Sequence, residues 1–163
     1  MAKVATFKTQ IDLNKETREE VIDILNQQLA DTFDLYSQTK QAHWNVKGMD
    51  FYQLHTLFDE LAELLLGYVD MIAERATALG GTALGTARMA AGSSTLPEYP
   101  EDTFHSEDVL SALIERYAAY AASTRQAIDD TDEAGDMGTS DLFTEIVRGV
   151  DKSLYFLESH LQG

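Results

Sequence analysis

The sequence predicts an all-α protein, folded as a bundle of four long helices. Four long segments repeat apolar residues at spacings of three and four, which is the periodicity of an amphipathic helix. No segment sustains the alternation of apolar and polar residues that is typical of a strand. Both prolines, Pro97 and Pro100, fall in a single connecting segment, so neither interrupts a predicted helix.

The first two helices are predicted at residues 15–46 and 51–79, separated by a short break at residues 47–50. The first carries one apolar stripe, formed by Val21, Ile22, Leu25, Leu29, Phe33 and Tyr36. The second carries a stripe formed by Leu54, Phe58, Leu61, Leu65, Tyr68 and Ile72. Because the break is short, the two helices are expected to form an antiparallel hairpin.

The third helix is predicted at residues 106–130 and the fourth at residues 140–161. Ser106, followed by the carboxylates of Glu107 and Asp108, has the features of an N-cap for the third helix. The fourth helix presents an inward-facing stripe formed by Leu142, Ile146, Val150, Leu154 and Leu157. A second short hairpin is therefore expected between these two helices.

The connection between the second and third helices is long, spanning residues 80–105, with a short extra helix expected at residues 86–91. Two short hairpins joined by one long crossover is the connectivity of a ferritin-like four-helix bundle, whereas growth-factor bundles use two long crossovers. At 163 residues the chain has the length of one domain. We expect a bundle domain at residues 15–161, preceded by a flexible N-terminal arm at residues 1–14.

The charge of the chain is strongly negative and unevenly distributed. Twelve basic residues against 28 acidic ones give a net charge of −16, and residues 98–141 hold twelve carboxylates with only Arg116 and Arg125. Such a potential repels the phosphate backbone of nucleic acids and concentrates cations at the surface. Metal cations are therefore favoured as partners over nucleic acid. A surface that is acidic only for solubility is the alternative.

The composition also bears on the compartment and excludes some kinds of site. The sequence has no cysteine, which excludes disulfides, thiolate metal sites and cysteine nucleophiles. Its longest apolar run, at residues 64–69, is far shorter than the ~20 residues of a membrane span. The N-terminal residues lack the apolar segment of a secretion signal. We therefore expect a cytoplasmic protein without a membrane partner.

Five residues of the types that bind iron, manganese or zinc lie near the first hairpin and along the second helix. They are His43, His55, Asp59, Asp70 and Glu74. At about 100° per residue, the four on the second helix fall within an arc of about 100°, roughly opposite its apolar stripe. They therefore point away from the bundle core, unlike the inward-facing Glu-x-x-His motifs of interior di-iron sites.

Distance along the second helix adds a second constraint. Asp70 follows His55 by fifteen residues, or about 22 Å, whereas metal–ligand bonds are about 2 Å long. His43 and His55 can meet at the hairpin, but neither can share an ion with Asp70 of the same chain. A twofold dimer with antiparallel second helices would bring the histidines to the carboxylates, with Ala62 and Leu66 in the interface. A solvated acidic face is the alternative that the spacing leaves open.

Three stretches of the sequence carry a family resemblance: TKQAHWNVKG at residues 39–48, VDMIAERATALGG at residues 69–81 and VDKSLYFLESHL at residues 150–161. Together they resemble the Dps family of mini-ferritins, and the resemblance extends over nearly the whole chain. It implies a ferroxidase site at a twofold interface. By position, the catalytic and metal-binding residues would be His43 and His55 of one subunit, Asp70 and Glu74 of its neighbour, and Asp59 on the histidine side.

The resemblance also implies a function and an assembly. Twelve identical bundles with 23 symmetry would form a hollow cage that oxidises Fe(II) with hydrogen peroxide or dioxygen and stores the ferric mineral. Each site would take up to two irons. The chain would thus be a ferroxidase, an oxidoreductase that protects against oxidative damage. Trp44 matches the family's aromatic residue beside the site, where it would quench a stray oxidising equivalent; simple packing of the hairpin is the other interpretation.

Acidic residues around the last hairpin would, by the same resemblance, line threefold pores through which iron enters. The acidic positions are Asp129, Asp130, Asp132, Glu133, Asp136 and Asp141. Asp136 and Asp141 are the predicted pore-lining residues, and an acidic loop without that task is the alternative. The remaining histidines are expected at the surface, with His105 beside the Ser106 cap and His160 near the C-terminus.

Two other functions share parts of this pattern. Some Dps proteins compact DNA, generally through a basic terminal arm, but the arm here holds only Lys3 and Lys8 before Lys15. Two or three phosphate contacts per subunit are few against a charge of −16, so DNA binding is not expected. A cage whose sites hold zinc is a further alternative, because histidine and carboxylate bind Zn(II) readily and zinc would compete with iron.

Overall fold

The computed structural model describes residues 4–163, and in that range it contains five helices. They are α1 (Lys15–Asn45), α2 (Phe51–Ala78), α3 (Ala87–Ser93), α4 (Ser106–Glu133) and α5 (Met137–Ser159). The long helices form two hairpins, α1 with α2 and α4 with α5, and α1 joins them by packing on α4. The short α3 lies in the crossover and packs on α1. No strand occurs at residues 4–163, so the predicted all-α four-helix bundle with an extra short helix is confirmed.

The core consists of the apolar faces of the four long helices. The whole stripe predicted on α2 is buried, and so are the first four residues of the stripe predicted on α1. Phe33 and Tyr36 are only half-buried, because Leu35 takes the core position on that turn of α1. On α5, Leu142 and Leu154 pack at the edge of the core rather than within it.

The ends of the last two helices differ from the prediction. His105, not Ser106, occupies the N-cap of α4 and makes no side-chain cap bond, while the Ser106 hydroxyl donates to the Lys47 carbonyl at 3.4 Å. The turn between α4 and α5 is also shorter than predicted. Asp136 begins α5 early by accepting the backbone N–H of Thr139.

The crossover is fastened to α1 by polar side chains. The Asn26 amide donates to the Thr82 carbonyl at 3.1 Å, and Asp31 accepts the backbone N–H of Thr95 at 2.7 Å. Two turns further along α1, Gln38 donates to the Pro97 carbonyl at 3.0 Å. These bonds satisfy backbone groups in a segment without regular structure, which holds the crossover along the hairpin.

The N-terminal arm packs on the start of the crossover. The backbone N–H of Phe7 donates to the Gly80 carbonyl at 2.7 Å, and the Thr82 hydroxyl donates to the Ala5 carbonyl at 2.7 Å. Gly80 has a φ of +88°, and a Cβ there would lie 2.4 Å from the Phe7 carbonyl oxygen, so this position requires glycine. The flexibility expected of residues 1–14 stays a prediction, and Lys3 lies outside the described residues. Within residues 4–163, no helix is long and apolar enough to cross a membrane.

Candidate metal centre

The α1–α2 hairpin brings two histidines into contact. His43 lies in the last turn of α1 and His55 in the second turn of α2. Their rings stack with centroids 3.8 Å apart and an interplanar angle of 19°. The chain reverses between them through Gly48, whose φ of +125° favours glycine. The predicted meeting of His43 and His55 is therefore confirmed.

Each of these histidines orients the other through a backbone carbonyl. Nδ1–H of His43 donates to the carbonyl oxygen of His55 at 2.6 Å, and Nδ1–H of His55 donates to the carbonyl oxygen of His43 at 2.9 Å. Because a carbonyl oxygen only accepts, both Nδ1 atoms must carry hydrogen. In the neutral rings this leaves both Nε2 atoms with free lone pairs, as metal ligation requires. This lock was not foreseen from the sequence, because backbone carbonyls have no sequence signature.

Asp59 and Lys40 complete this half of the site. Asp59 lies one turn after His55 on α2, with Oδ1 4.0 Å from Nε2 of His43. The Lys40 ammonium donates to the same oxygen at 2.6 Å, and this hydrogen bond lowers the pKa of Asp59. Lys40 was not among the predicted site residues. Its position one turn before His43 on α1 was the available signal.

Asp70 and Glu74 lie on the same outward face of α2 but far from the histidines. Both side chains are exposed, and α2 is a continuous helix over the intervening residues. Within residues 4–163, no three histidine, aspartate or glutamate side chains lie close enough to hold one metal ion. One chain thus presents two separate partial ligand sets, one from His43, His55 and Asp59 and the other from Asp70 and Glu74.

The face of α2 between these ligand sets is not a purely polar surface. Leu66 is 47% exposed, whereas Ala62, at the edge of the same face, is buried against α1. A cavity of about 330 Å³ opens here beside Asp59 and Lys40, and Glu63 also lines it. Glu63 was not among the predicted site residues, although the helical period places it on the ligand face.

The predicted pore residue Asp136 does not fit that role. It is only 2% exposed, and one nitrogen of the Arg75 guanidinium, Nη2, donates to both its carboxylate oxygens, at 2.8 and 2.9 Å. Desolvation opposes its ionisation, but hydrogen bonds from Thr139 and Arg75 outweigh that effect and lower the pKa of Asp136. Its charge is thus neutralised inside the chain, and its task is to cap α5. Asp141 is exposed, so its pore role stays a prediction.

The remaining singled-out residues lie at the surface of the chain. Trp44 is 62% exposed, so it does not pack the hairpin. His105 and His160 are exposed as expected, and Nδ1 of His160 is hydrogen-bonded to the Phe156 carbonyl at 2.7 Å. The last hairpin carries a largely exposed acidic group, formed by Asp129, Asp130, Asp132 and Glu133.

Comparison with known proteins identifies the family. The ferritin-like domain family matches residues 22–163. The DNA protection during starvation protein of Agrobacterium fabrum is 49% identical over 157 residues, which cover 96% of this chain and 97% of that protein. The chain belongs to the Dps family of ferritin-like proteins. The resemblance inferred from the sequence is thereby confirmed.

Solved Dps structures have the same fold. DpsC from Streptomyces coelicolor superposes with a TM-score of 0.92 at 34% identity, covering 98% of this chain and 93% of its own. The Dps protein from Vibrio cholerae superposes with a TM-score of 0.88 at 25% identity, covering 99% and 100%. That protein is described as a member of a broad superfamily of ferritin-like diiron-carboxylate proteins. In this Dps chain, the ligand role of the five predicted residues stays a prediction.

Proposed function

We propose that this Dps chain oxidises Fe(II) at sites shared between two subunits. The observation that carries the proposal is the pair of locked imidazoles, a buried His43 and a half-buried His55, beside the exposed Asp59. With both Nδ1 atoms bonded to carbonyls, the two Nε2 atoms and a neighbouring carboxylate are the arrangement that metal ligation uses. Asp70 and Glu74 on the same face supply the carboxylates that this half lacks.

Antiparallel pairing of two α2 helices would join the two halves. His55 and Glu74 are equally far from the point between residues 64 and 65, and so are Asp59 and Asp70. A twofold axis through that point sets His55 opposite the partner's Glu74, and Asp59 opposite the partner's Asp70. The same axis generates an identical second site about 22 Å away. Exposed Leu66, close to the axis, would be buried by this contact.

The donor set suits iron as a substrate. Imidazole nitrogens and carboxylate oxygens both bind Fe(II), and the harder carboxylate oxygens favour the Fe(III) product. With two Fe(II) ions in one site, each gives one electron to hydrogen peroxide. The O–O bond then breaks, and two protons complete two water molecules. Delivering both electrons together avoids the hydroxyl radical that a single-electron step would release.

Lys40 sets a condition on iron binding. Its ammonium already neutralises Asp59, so an incoming Fe(II) ion must compete with it for that carboxylate. Lys40 has no other carboxylate within ion-pair distance among the described residues. The iron position nearest Asp59 is therefore expected to bind more weakly than the one formed by the imidazoles and the partner's carboxylates.

We further propose that the chain assembles into the dodecameric cage with 23 symmetry expected from the family, in the cytoplasm, and stores ferric mineral inside. The surface supports assembly, because several large apolar side chains are exposed away from α2, including Met137, Tyr155, Phe156 and Leu161. Asp141 and the exposed acidic residues of the last hairpin would attract iron to an entry pore.

Protection of DNA, named in the Agrobacterium relative, needs no DNA contact under this proposal, since removing Fe(II) and peroxide together is protective. The charge of −16 argues against a DNA-compacting role. Retention of duplex DNA by a small amount of protein in a low-salt gel-shift experiment would contradict this. Zinc would use the same donors, so zinc is expected to inhibit rather than replace iron oxidation.

The test of the proposal is rapid mixing of Fe(II) with metal-free protein. Ferric absorbance should rise faster than in protein-free buffer, with hydrogen peroxide or with dioxygen. His43→Ala should abolish most of that acceleration. His160→Ala is the matched control, because His160 is exposed and has its Nδ1 bonded to a carbonyl, but is not among the predicted ligands. No acceleration with either oxidant would refute the ferroxidase proposal.

A further inference from the structure

The Lys40 ammonium occupies the space that a metal ion needs at Asp59. It donates to Oδ1 of Asp59 at 2.6 Å, and that oxygen lies 4.0 Å from Nε2 of His43. A metal ion bonded to the same oxygen at about 2 Å would lie within about 4.6 Å of the ammonium in its present position. Because both carry positive charge, the ammonium must move when a metal ion binds there. Its new position decides how strongly it opposes the metal.

The cavity of about 330 Å³ beside this ion pair gives the ammonium room to move. Lys40 and Asp59 both line it, and so does a second carboxylate, that of Glu63. Glu63 lies one turn after Asp59 on α2 and is exposed. It has no cation at ion-pair distance among the described residues. Glu63 is therefore the lining carboxylate that can still take a cation.

The antiparallel hairpin directs Lys40 and Glu63 toward each other. His43 stacks on His55 and Lys40 pairs with Asp59, so one turn back along α1 corresponds to one turn forward along α2. Helical side chains lean toward the N-terminus of their own helix, which brings Lys40 toward the level of Glu63, and Glu63 toward the level of Asp59. The Cβ atoms of Asp59 and Glu63 are about 5 to 6 Å apart by helix geometry. The flexible lysine side chain can cover that distance by rotation.

This movement takes the positive charge away from the metal position. The ammonium now lies 5.7 Å from the centre of the Trp44 ring, one turn toward the C-terminal end of α1, where His43 is. Reaching Glu63 takes it in the opposite direction, by roughly one turn or 5 Å. Under the proposed pairing of two α2 helices, Leu66 would be buried and the cavity narrowed, which leaves less water to solvate a displaced ammonium. A carboxylate within reach therefore matters more in the assembly than in one chain.

We propose that Glu63 receives the Lys40 ammonium when a metal ion takes Asp59, so that Lys40 alternates between two carboxylates. This inference rests on the proposed function, because it assigns a regulation to the same site. Without metal, the ammonium neutralises Asp59; with metal bound, it neutralises Glu63. Glu63 is thus a positioning residue and not a ligand. It strengthens metal binding by giving the displaced ammonium a partner.

Calorimetric titration of the assembled, metal-free protein with Co(II) tests the proposal. Glu63→Gln should weaken Co(II) binding by about threefold to fivefold, because the displaced ammonium has no second carboxylate. Glu60→Gln is the matched control, since Glu60 is also exposed and follows Asp59 directly but does not line the cavity. It should weaken binding by less than about twofold. In a Lys40→Met background, Glu63→Gln should likewise have an effect of less than about twofold, because no ammonium remains to be displaced.

A crystal structure of the wild-type Co(II) complex gives a second readout, in which Nζ of Lys40 should lie at ion-pair distance from Glu63 and no longer from Asp59. An ammonium that stays on Asp59 in the complex would overturn the proposal. So would an equal effect of Glu63→Gln with and without Lys40, or an effect no larger than that of Glu60→Gln. Co(II) binding that His43→Ala leaves unchanged would overturn the proposed metal site and this inference with it. Binding that requires His43 but shows no coupling between Lys40 and Glu63 would overturn this inference alone.

Discussion

The sharing of each iron site between two subunits can be tested by complementation. In one variant, His43→Ala and His55→Ala remove both imidazoles. In the other, Asp70→Ala and Glu74→Ala remove both distant carboxylates. Each variant should be inactive alone, because every one of its sites lacks two of the five predicted ligands. Co-assembled from an unfolded mixture, the two should recover part of the activity, since a mixed dimer pairs intact histidines with intact carboxylates.

The size of the recovery follows from the geometry. The two half-sites lie about 22 Å apart on α2, so no chain can close a site by itself. With equal amounts and random pairing, about half of the dimers are mixed, and each mixed dimer has one intact site of two. Recovery should therefore approach about one quarter of the wild-type sites. When the two variants are mixed at a ratio of one to three, recovery should fall to about three sixteenths of the wild-type sites. Activity from one contaminating active species would not follow this dependence on the mixing ratio.

The assay is the initial rate of Fe(II) oxidation per chain, measured alongside native mass spectrometry of one isotope-labelled variant. The mass spectra establish that mixed assemblies are present. Mixed assemblies without recovered activity would refute the shared site, even if the protein still bound iron. Activity in either variant alone would refute it as well, because a site built within one chain would then be sufficient.

Three further changes test other parts of the structure. Asp70→Ala should slow iron oxidation strongly without changing the oligomer measured by size-exclusion chromatography, because an exposed carboxylate contributes little to the fold. Lys40→Met should tighten Co(II) binding by roughly threefold in calorimetry, because the ammonium no longer competes for Asp59. Asp136→Asn should lower the free energy of unfolding by about 2 to 4 kcal/mol near neutral pH, because a buried ion pair and a helix cap lose their charge. The folded-state pKa of this carboxyl is lowered, so its contribution is present above its ordinary pKa of about 4 and is lost as the pH falls through the lowered value. Urea denaturation of wild type and Asp136→Asn should therefore converge in acid.

Each of these changes has a matched control and an outcome that would contradict it. Glu107→Ala removes an exposed carboxylate elsewhere and should leave the oxidation rate unchanged. Lys15→Met removes an exposed lysine far from Asp59. If this variant gained as much Co(II) affinity as Lys40→Met, the effect of Lys40 would arise from net charge alone and not from its contact with Asp59. Asp141→Asn removes an exposed carboxylate in the same helix and should cost less than about 0.5 kcal/mol. A difference between wild type and Asp136→Asn that persists undiminished in acid would contradict the assigned ionisation.

The fold was predictable because the helices are long and strongly periodic. The apolar stripe of α2, from Leu54 to Ile72, is buried as its spacing required. Helix ends were less predictable. The early start of α5 depends on Asp136, whose burial requires Arg75, sixty-one positions earlier in the chain. No local pattern distinguishes this carboxylate from the exposed acidic residues around it, so the sequence could not indicate that Asp136 is buried and paired with Arg75.

The candidate site was predictable in part, for a related reason. Helical geometry indicated that His43 and His55 meet and that Asp70 is remote from both. It could not indicate the reciprocal carbonyl bonds, which arise only when the hairpin closes and two backbone segments approach. Lys40 was missed because a lysine one turn from a histidine is common on exposed helices. Only the folded hairpin places its ammonium on Asp59.

The outward face of α2 is the part of this chain that folding of one subunit does not explain. A helix with one buried face is normally polar on the other, yet here Leu66 is exposed between two sets of metal-binding residues. Their symmetric placement about the point between residues 64 and 65 is not needed for solubility or for the core. It is what a shared site requires of an isologous contact, because groups equally far from a twofold axis lie opposite one another across it. Under the proposed function, this face is one surface with two tasks, in which the contact that would bury Leu66 would also complete both iron sites.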